Sequence, residues 1–292
     1  MIHSSNSNAA ESHIVVDHAT GYILETKGAE TPRQVASLTK IAAVLVILEW
    51  LDETGSDPAS LVSVPAEALR GGANPLGLRV NDELSIETGL FAAMMASDNT
   101  STYAVADAIG KRIDPASDKG GVAVFVARMN QRARDLGMAQ TRFVNPHGLD
   151  EGGEPGVSTA SDLARLAIKA HDHPAFARYC GGKERTVEFV RDGTRVPVKL
   201  INTNELVGSR GIDGTKTGTT RLAGPCLVVT ATHDLALGER VENRRLVVVL
   251  LNAEDRFREA VLLLDRAWPS ATEWLLSGGQ SDPKQRLRKG ED

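Results

Sequence analysis

The chain has 292 residues, 41% hydrophobic and 24% charged, with a formal net charge of -5; this suits a soluble globular protein that can bury a sizeable core and gives no reason to expect nucleic acid as a partner. The longest apolar runs, 41–50 and 246–251, are too short to span a bilayer, and no membrane anchor is evident. Two cysteines make no disulfide framework, and the seven histidines show no metal-ligand spacing, so no metal or other cofactor is expected.

Residues 1–11 are polar and rich in Ser and Asn, with no basic region followed by an apolar core. No signal peptide is visible, and this start is expected to be loose. Segments 14–16 and 22–24 flank a run of turn formers and predict a β-hairpin. Pro32 then leads into a helix expected to begin near Ser37. Its 41–50 stretch is apolar all round, which marks a buried helix. A second region follows, with a loop around Gly71, Gly72 and Gly77 and helices over 87–95, 101–109 and 121–136. In the last of these Val122, Phe125, Val126 and Met129 fall at helical spacing. A loop over 141–150 precedes a helix over 161–169 capped by Ser158 or Thr159. From Thr186 the period becomes that of strands: 187–190, 196–200, 212–219, 226–231 and 246–251. An amphipathic helix over 255–276 closes the fold, and the charged tail from Ser277 is expected to be loose. The expected division is an α/β part formed by 12–64 and 176–276 around a mainly helical insertion, 65–175, with tails 1–11 and 277–292.

Three short motifs stand in order along these elements. Ser37 and Lys40 are three residues apart, so on one helix they share a face, and a serine beneath an amine is a nucleophile–base pair. Alone the pair reads equally as a helix cap and a solvated lysine, and Ser281 and Lys284 repeat the spacing in the tail. Ser97–Asp98–Asn99 lies at a helix–helix junction and alone would be a capping turn. Lys216–Thr217–Gly218 lies in a strand and alone would be an edge strand protected by lysine. Together, in this order, they are the set used by penicillin-interacting serine enzymes.

On these motifs the chain resembles the D-alanyl-D-alanine carboxypeptidases, the low-molecular-mass penicillin-binding proteins, from about Ile14 to Leu276. The resemblance extends to Gly77–Leu78, to the stretch from Leu136 through Phe143–Val144–Asn145–Pro146–His147–Gly148–Leu149–Asp150, to Asn202–Thr203–Asn204 and to residues 213–220. It implies the β-lactamase/transpeptidase-like α/β fold, a mainly antiparallel five-stranded sheet flanked by helices with an all-helical subdomain. It also implies peptidoglycan peptides ending in D-Ala-D-Ala as substrate, β-lactam antibiotics as covalent inhibitors, and a periplasmic or extracytoplasmic setting. Ser37 would be the nucleophile and Lys40 its base. Ser97 would relay the proton, and Asn99 would hold Lys40 and the substrate amide. Lys216, Thr217, Gly218 and Thr219 would bind substrate, with Arg258 on its carboxylate and Arg256 as the rival for that role. His147 is given a structural place rather than a catalytic one.

Three other functions stay open at this point: a D,D-endopeptidase that cuts cross-links, a class A-like β-lactamase, and a non-catalytic penicillin-binding sensor. The β-lactamase reading lacks its Glu-x-x-Leu-Asn pentapeptide between Asn99 and Lys216, where the loop acids are Asp150, Glu151 and Glu154.

Overall fold

The structure, a computed structural model, describes residues 9–150, 153–280 and 282–287. Strands β1 (Ser12–Asp17) and β2 (Ile23–Lys27) form the expected hairpin. A 3₁₀ turn, Ala36–Leu38, runs into helix α1 (Thr39–Thr54). The short strands β3 (Leu61–Ser63) and β4 (Glu83–Ser85) precede helices α2 (Ile86–Met95), α3 (Asn99–Ile113) and α4 (Gly121–Asp135). Next come α5 (Ala160–Asp172) and α6 (Phe176–Cys180), the latter a five-residue helix that is too short to show a period in the sequence. Strands β5 (Glu184–Arg191), β6 (Thr194–Ile201), β7 (Ile212–Thr220), β8 (Gly224–Leu237) and β9 (Arg240–Leu251) lead to α7 (Arg256–Leu276).

The central sheet has five strands in the order β2-β1-β9-β8-β7, and every pairing is antiparallel. Both of its faces are covered, which is why its inner strands read as unbroken apolar runs. Ile14, Val16, Val228, Val247 and Val249 point to the side that holds α1 and α5. Val15, Leu227, Val229, Val248 and Leu250 point to the side closed by Ala260, Leu263, Leu264 and Ala267 of α7. Helix α1 is buried from Thr39 through Leu48, and ends at Gly55 in the left-handed conformation, φ 65°. That placement matches its lack of a polar face. Among the described residues, no helix is long and apolar enough to cross a membrane.

Two expectations need correction. The hairpin 184–201 was grouped with the α/β part, but it pairs elsewhere: β5 bonds to β4, with Leu84 opposite Phe189, making a separate sheet β3-β4-β5-β6. Val187 and Phe189 turn one face of β5 inward against the helical part, and this burial selects the partner. The tails also differ. Most of the expected loose residues (1–8, 281 and 288–292) lie outside the described ones, Ser281 among them, but the flanks that are described are docked. The Ala10 N–H donates to the Glu259 carboxylate at 2.8 and 2.9 Å. The Leu287 N–H donates to the Gly21 carbonyl at 2.9 Å, beside Tyr22 stacked on Trp274 with centroids 4.2 Å apart.

Helix α1 carries Lys40 in its first turn, so its burial sets the position of the site. Leu45, wholly buried in this helix, tests that burial. Leu45→Ala is expected to lower the unfolding free energy by about 2–5 kcal/mol in urea titration. A loss below ~0.5 kcal/mol, the range of surface substitutions, would contradict the packing.

Candidate active site

The site forms where three elements meet: the turn into α1, the α2–α3 junction and the edge strand β7. Ser37 is in the 3₁₀ turn rather than in α1 itself, half-buried, while Lys40 is in the first turn of the helix and wholly buried. Ala36, just before Ser37, has φ 48°, a left-handed conformation unusual for a residue with a side chain. The loop after Phe143 holds it there. Gly148 of that loop sits so close that a Cβ on it would lie 1.9 Å from the Ala36 carbonyl oxygen.

The amine of Lys40 has three neighbours. Nζ is 2.9 Å from Ser37 Oγ, 2.6 Å from Asn99 Oδ1 and 3.0 Å from the carbonyl oxygen of His147. Two of these, the amide oxygen and the backbone carbonyl, can only accept. A neutral amine has two hydrogens and one lone pair. Its hydrogens are spent on Asn99 and His147, and the lone pair is left for the one neighbour that can donate, the Ser37 hydroxyl. Protonated, Lys40 donates to all three oxygens; neutral, it keeps Asn99 and His147 and turns its lone pair to the Ser37 hydroxyl.

The electrostatics favour the neutral form. Burial lowers the Lys40 pKa to about 7, against an opposing pull from Asp98. Lys216 is also wholly buried, and its pKa is driven well below that of an ordinary lysine by burial first, then by Lys40 and Arg256. Loss of water is the larger cause at both amines. Asp98 is raised by burial, while N–H bonds from Ser101 (2.7 Å) and Leu76 (3.0 Å) support its charge.

The second wall comes from the end of α2. Ser97 takes φ 59° and turns the chain, and Asp98 caps α3 through the Ser101 N–H. Asn99 then opens α3 with its side chain on Lys40. Its own N–H donates to the Ala73 carbonyl at 2.7 Å, so the glycine-rich loop before β4 lies across it.

The third wall is β7. A Cβ on Gly218 would lie 3.1 Å from the Ser37 nitrogen and 3.2 Å from the Ala36 Cβ, so glycine lets the strand pass the nucleophile's backbone. Lys216 Nζ donates to the Thr217 carbonyl at 2.8 Å, and the Thr217 hydroxyl is 2.6 Å from that of Thr203. Asn204 Nδ2 donates to the Gly214 carbonyl at 3.0 Å. The Asn202–Asn204 stretch is thus a brace for β7.

Ser37, Lys40 and Asn99 are brought into direct contact, Gly218 lies against Ser37, and Lys216 lies close enough to feel Lys40. Ser97 is placed by the same junction as Asn99, and Thr217 and Thr219 by the same strand as Gly218. Arg258 makes no contact with them. It is exposed in the first turn of α7, and its backbone N–H donates to Asp255. Arg256 is the arginine that reaches β7: its Nη1 donates to the Gly218 carbonyl (2.9 Å) and Thr219 Oγ1 (2.8 Å). Arg256 follows the helix cap directly and is half-buried against the sheet, whereas Arg258, two residues on, turns to solvent.

His147 contributes its carbonyl oxygen to Lys40. Its ring is buried beside Tyr103, and burial lowers its pKa to about 3, which keeps it neutral. Sequence reasoning missed this carbonyl ligand, the Thr203 brace and the Asp98 contact to Leu76. Only Thr203 had a signal, its place in the Asn-Thr-Asn stretch.

The fold and the site together define a serine enzyme of the penicillin-interacting class, with the Ser37–Lys40 pair, the Ser-Asp-Asn junction and the Lys-Thr-Gly edge strand around one cleft. The chain belongs to the D-alanyl-D-alanine carboxypeptidase family, whose sequence profile matches residues 1–255. It is 29% identical to D-alanyl-D-alanine carboxypeptidase DacF of Bacillus subtilis over 98% of this chain and 69% of that protein. It is 32% identical to a D-alanyl-D-alanine endopeptidase of Pseudomonas aeruginosa, over 77% of this chain and 67% of that one. Among solved structures, a Streptomyces DD-transpeptidase superposes with a TM-score of 0.79 at 25% identity, covering 91% of this chain and 99% of that one. An ampicillin-bound penicillin-binding protein of Listeria monocytogenes does so with a TM-score of 0.69 at 28% identity, covering 88% and 96%.

With Lys40 as the proposed base, the rate of acylation at Ser37 is expected to rise with pH through about 7 and to fall roughly tenfold per unit below that. A pH profile of acylation flat between pH 5 and 8 would contradict the assignment. Stability moves in the same direction. Between about 7 and the ordinary lysine value of 10.5, the unfolded chain holds the Lys40 proton and the folded one does not, so stability rises with pH. Lys40→Met is expected to raise the melting temperature more at pH 6 than at pH 9. An equal or reversed gain would count against a depressed Lys40.

Proposed function

We propose that this protein is a serine D-Ala-D-Ala carboxypeptidase acting on peptidoglycan stem peptides outside the cytoplasm. The observation that carries the reading is Lys40 Nζ at 2.9 Å from Ser37 Oγ in a site where burial lowers its pKa to about 7, so that the amine can take the Ser37 proton. Family membership supplies the substrate class. Ser37 Oγ bonds to the carbonyl carbon between the two D-alanines while Lys40 takes the hydroxyl proton. The tetrahedral oxyanion lies between the backbone N–H groups of Ser37 and Thr219. As the C–N bond breaks, the proton passes through Ser97 to the departing D-alanine amine. Asn99 keeps Lys40 in register and presents its amide nitrogen to the stem peptide. Water then cleaves the ester, with the proton returned to Ser37. β-Lactams enter the same path, acylate Ser37 and leave slowly. Of the acids in the segment where a lactamase carries its deacylating glutamate, Glu154 is paired with Arg142, and Glu151 lies outside the described residues.

The departing D-alanine carries a carboxylate, which calls for a cation at the β7 end of the cleft. Arg258 has its guanidinium unpaired among the described residues, while Arg256 is committed to Gly218 and Thr219. We assign carboxylate capture to Arg258 and alignment of β7 to Arg256. A second reading, cross-link cutting, is favoured by the 32% identity to an endopeptidase.

Incubation with diacetyl-lysyl-D-alanyl-D-alanine is expected to release D-alanine, with Ser37→Ala neither releasing it nor binding penicillin covalently. Penicillin labelling of Ser37 without any D-alanine release would leave a sensor in place of an enzyme. Faster turnover of a cross-linked peptide dimer than of the linear peptide would move the assignment to endopeptidase. For the two arginines, Arg258→Ala is expected to raise KM for the peptide with kcat little changed, and Arg256→Ala to lower kcat. The reverse pattern would exchange their roles.

A further inference from the structure

The loop between the short 3₁₀ turn Ala66–Leu69 and β4 belongs to none of the three motifs, yet it lies against one of them. Gly72 has φ 87°, and a Cβ built on it would lie 1.9 Å from Nδ2 of Asn99, 3.0 Å from its Cγ and 3.3 Å from its Cβ. The next residue accepts the Asn99 N–H through the Ala73 carbonyl at 2.7 Å. The far side of the loop is tied down. Leu76 N–H donates to Asp98 Oδ2 at 3.0 Å, Asn74 and Leu78 exchange two bonds of 2.9 Å, and Arg191 Nη2 donates to the Gly77 carbonyl at 2.8 Å. The loop therefore cannot retreat from Asn99 without breaking its hold on Asp98.

We propose that Gly72 is a positioning residue for Asn99, and that its missing side chain sets the direction of the Asn99 amide. The two ends of an asparagine amide have nearly the same size, so their neighbours decide which way it points. Oδ1 is on Lys40 at 2.6 Å. Nδ2 therefore faces Gly72, where it makes no hydrogen bond to any described residue. That end is the one the proposed mechanism presents to the stem peptide's carbonyl, and the gap left by Gly72 is the space around it. A side chain at 72 would push the buried amide off Lys40, close the approach to Nδ2, or both. This inference rests on the proposed reaction at Ser37 and adds a residue that acts on it through Asn99.

Gly72→Ala is expected to slow penicillin acylation of Ser37 by about 10- to 100-fold, the scale of a displacement near 1 Å in a reacting group. The melting temperature is expected to stay within a few degrees, because Gly72 is exposed and outside the core. Gly77→Ala is the control for backbone strain. Gly77 is in the same loop with φ 65°, but a Cβ there meets nothing within 4 Å, so this variant is expected to acylate at nearly the native rate. The decisive measurement is a double-mutant cycle. In an Asn99→Ala background, Gly72→Ala is expected to change the rate less than about twofold, since its target is gone. Three results would overturn the proposal: an unchanged rate in Gly72→Ala, an equal loss in Gly77→Ala, or the same factor with and without Asn99. If the native protein itself fails to label at Ser37, the reaction assigned to the site falls first and this inference with it.

Discussion

An amine without water is the constraint on which the rest of this structure depends. Lys40 and Lys216 are both wholly buried, and a charged amine in such a place is so costly that its hold on the proton is weakened. Asp98 is the nearby carboxylate, but it is buried too and spends its oxygens on Ser101 and Leu76. It opposes the loss of the Lys40 proton without forming an ion pair with it. Had Asp98 touched Lys40, the pair would have held the proton and Ser37 would lack the base proposed for it. The distance between them is set by the capping role of Asp98, which turns its carboxylate toward the start of α3 and the neighbouring loop.

Holding three walls at hydrogen-bonding distance from one amine asks the chain to leave regular structure at the points of contact. Ala36 and Ser97 both take left-handed backbone angles beside the residues that do the work. Strain of this kind persists only where the surroundings over-determine it. Gly148 pressed on Ala36 and Gly218 pressed on Ser37 supply that confinement on two sides. Behind them are the rigid parts, α1 buried along its length and a sheet covered on both faces. The site is therefore a set of irregular joints on a scaffold with little freedom to relax.

This division explains what could be read from the chain. Helix α1 was legible because a helix without a polar face has only one place to go. The inner runs of the central sheet were legible because strands covered on both faces are continuously apolar. The three motifs were legible as side chains in a known order. The second sheet was not: β3 and β4 have three residues each, too few for a period, and nothing local to 184–201 names Leu84 as a neighbour. The carbonyl ligand of Lys40 was not legible either. Any residue at 147 would offer the same oxygen, so its position comes from the Asn145 and Gly148 turn rather than from histidine. Arg256 and Arg258 are two residues apart on one helix, and only the docking angle of α7 tells them apart.

The arginine at β7 also bears on the amines. Arg256 is half-buried, bonded to Gly218 and Thr219, and it is among the charges that depress Lys216. In the resting site three basic groups crowd one end of the cleft, and burial weakens the proton affinity of the two amines. A substrate carboxylate arriving there reverses the balance. It supplies the missing anion, and by Coulomb's law in a water-poor site it raises the proton affinity of every nearby amine. In the proposed reaction Lys40 needs low affinity beforehand, to be neutral, and higher affinity during attack, to take the Ser37 proton. A carboxylate on the leaving group provides both in sequence. On the proposed mechanism its arrival strengthens the base, and its departure with the D-alanine weakens it again once the proton has been handed on.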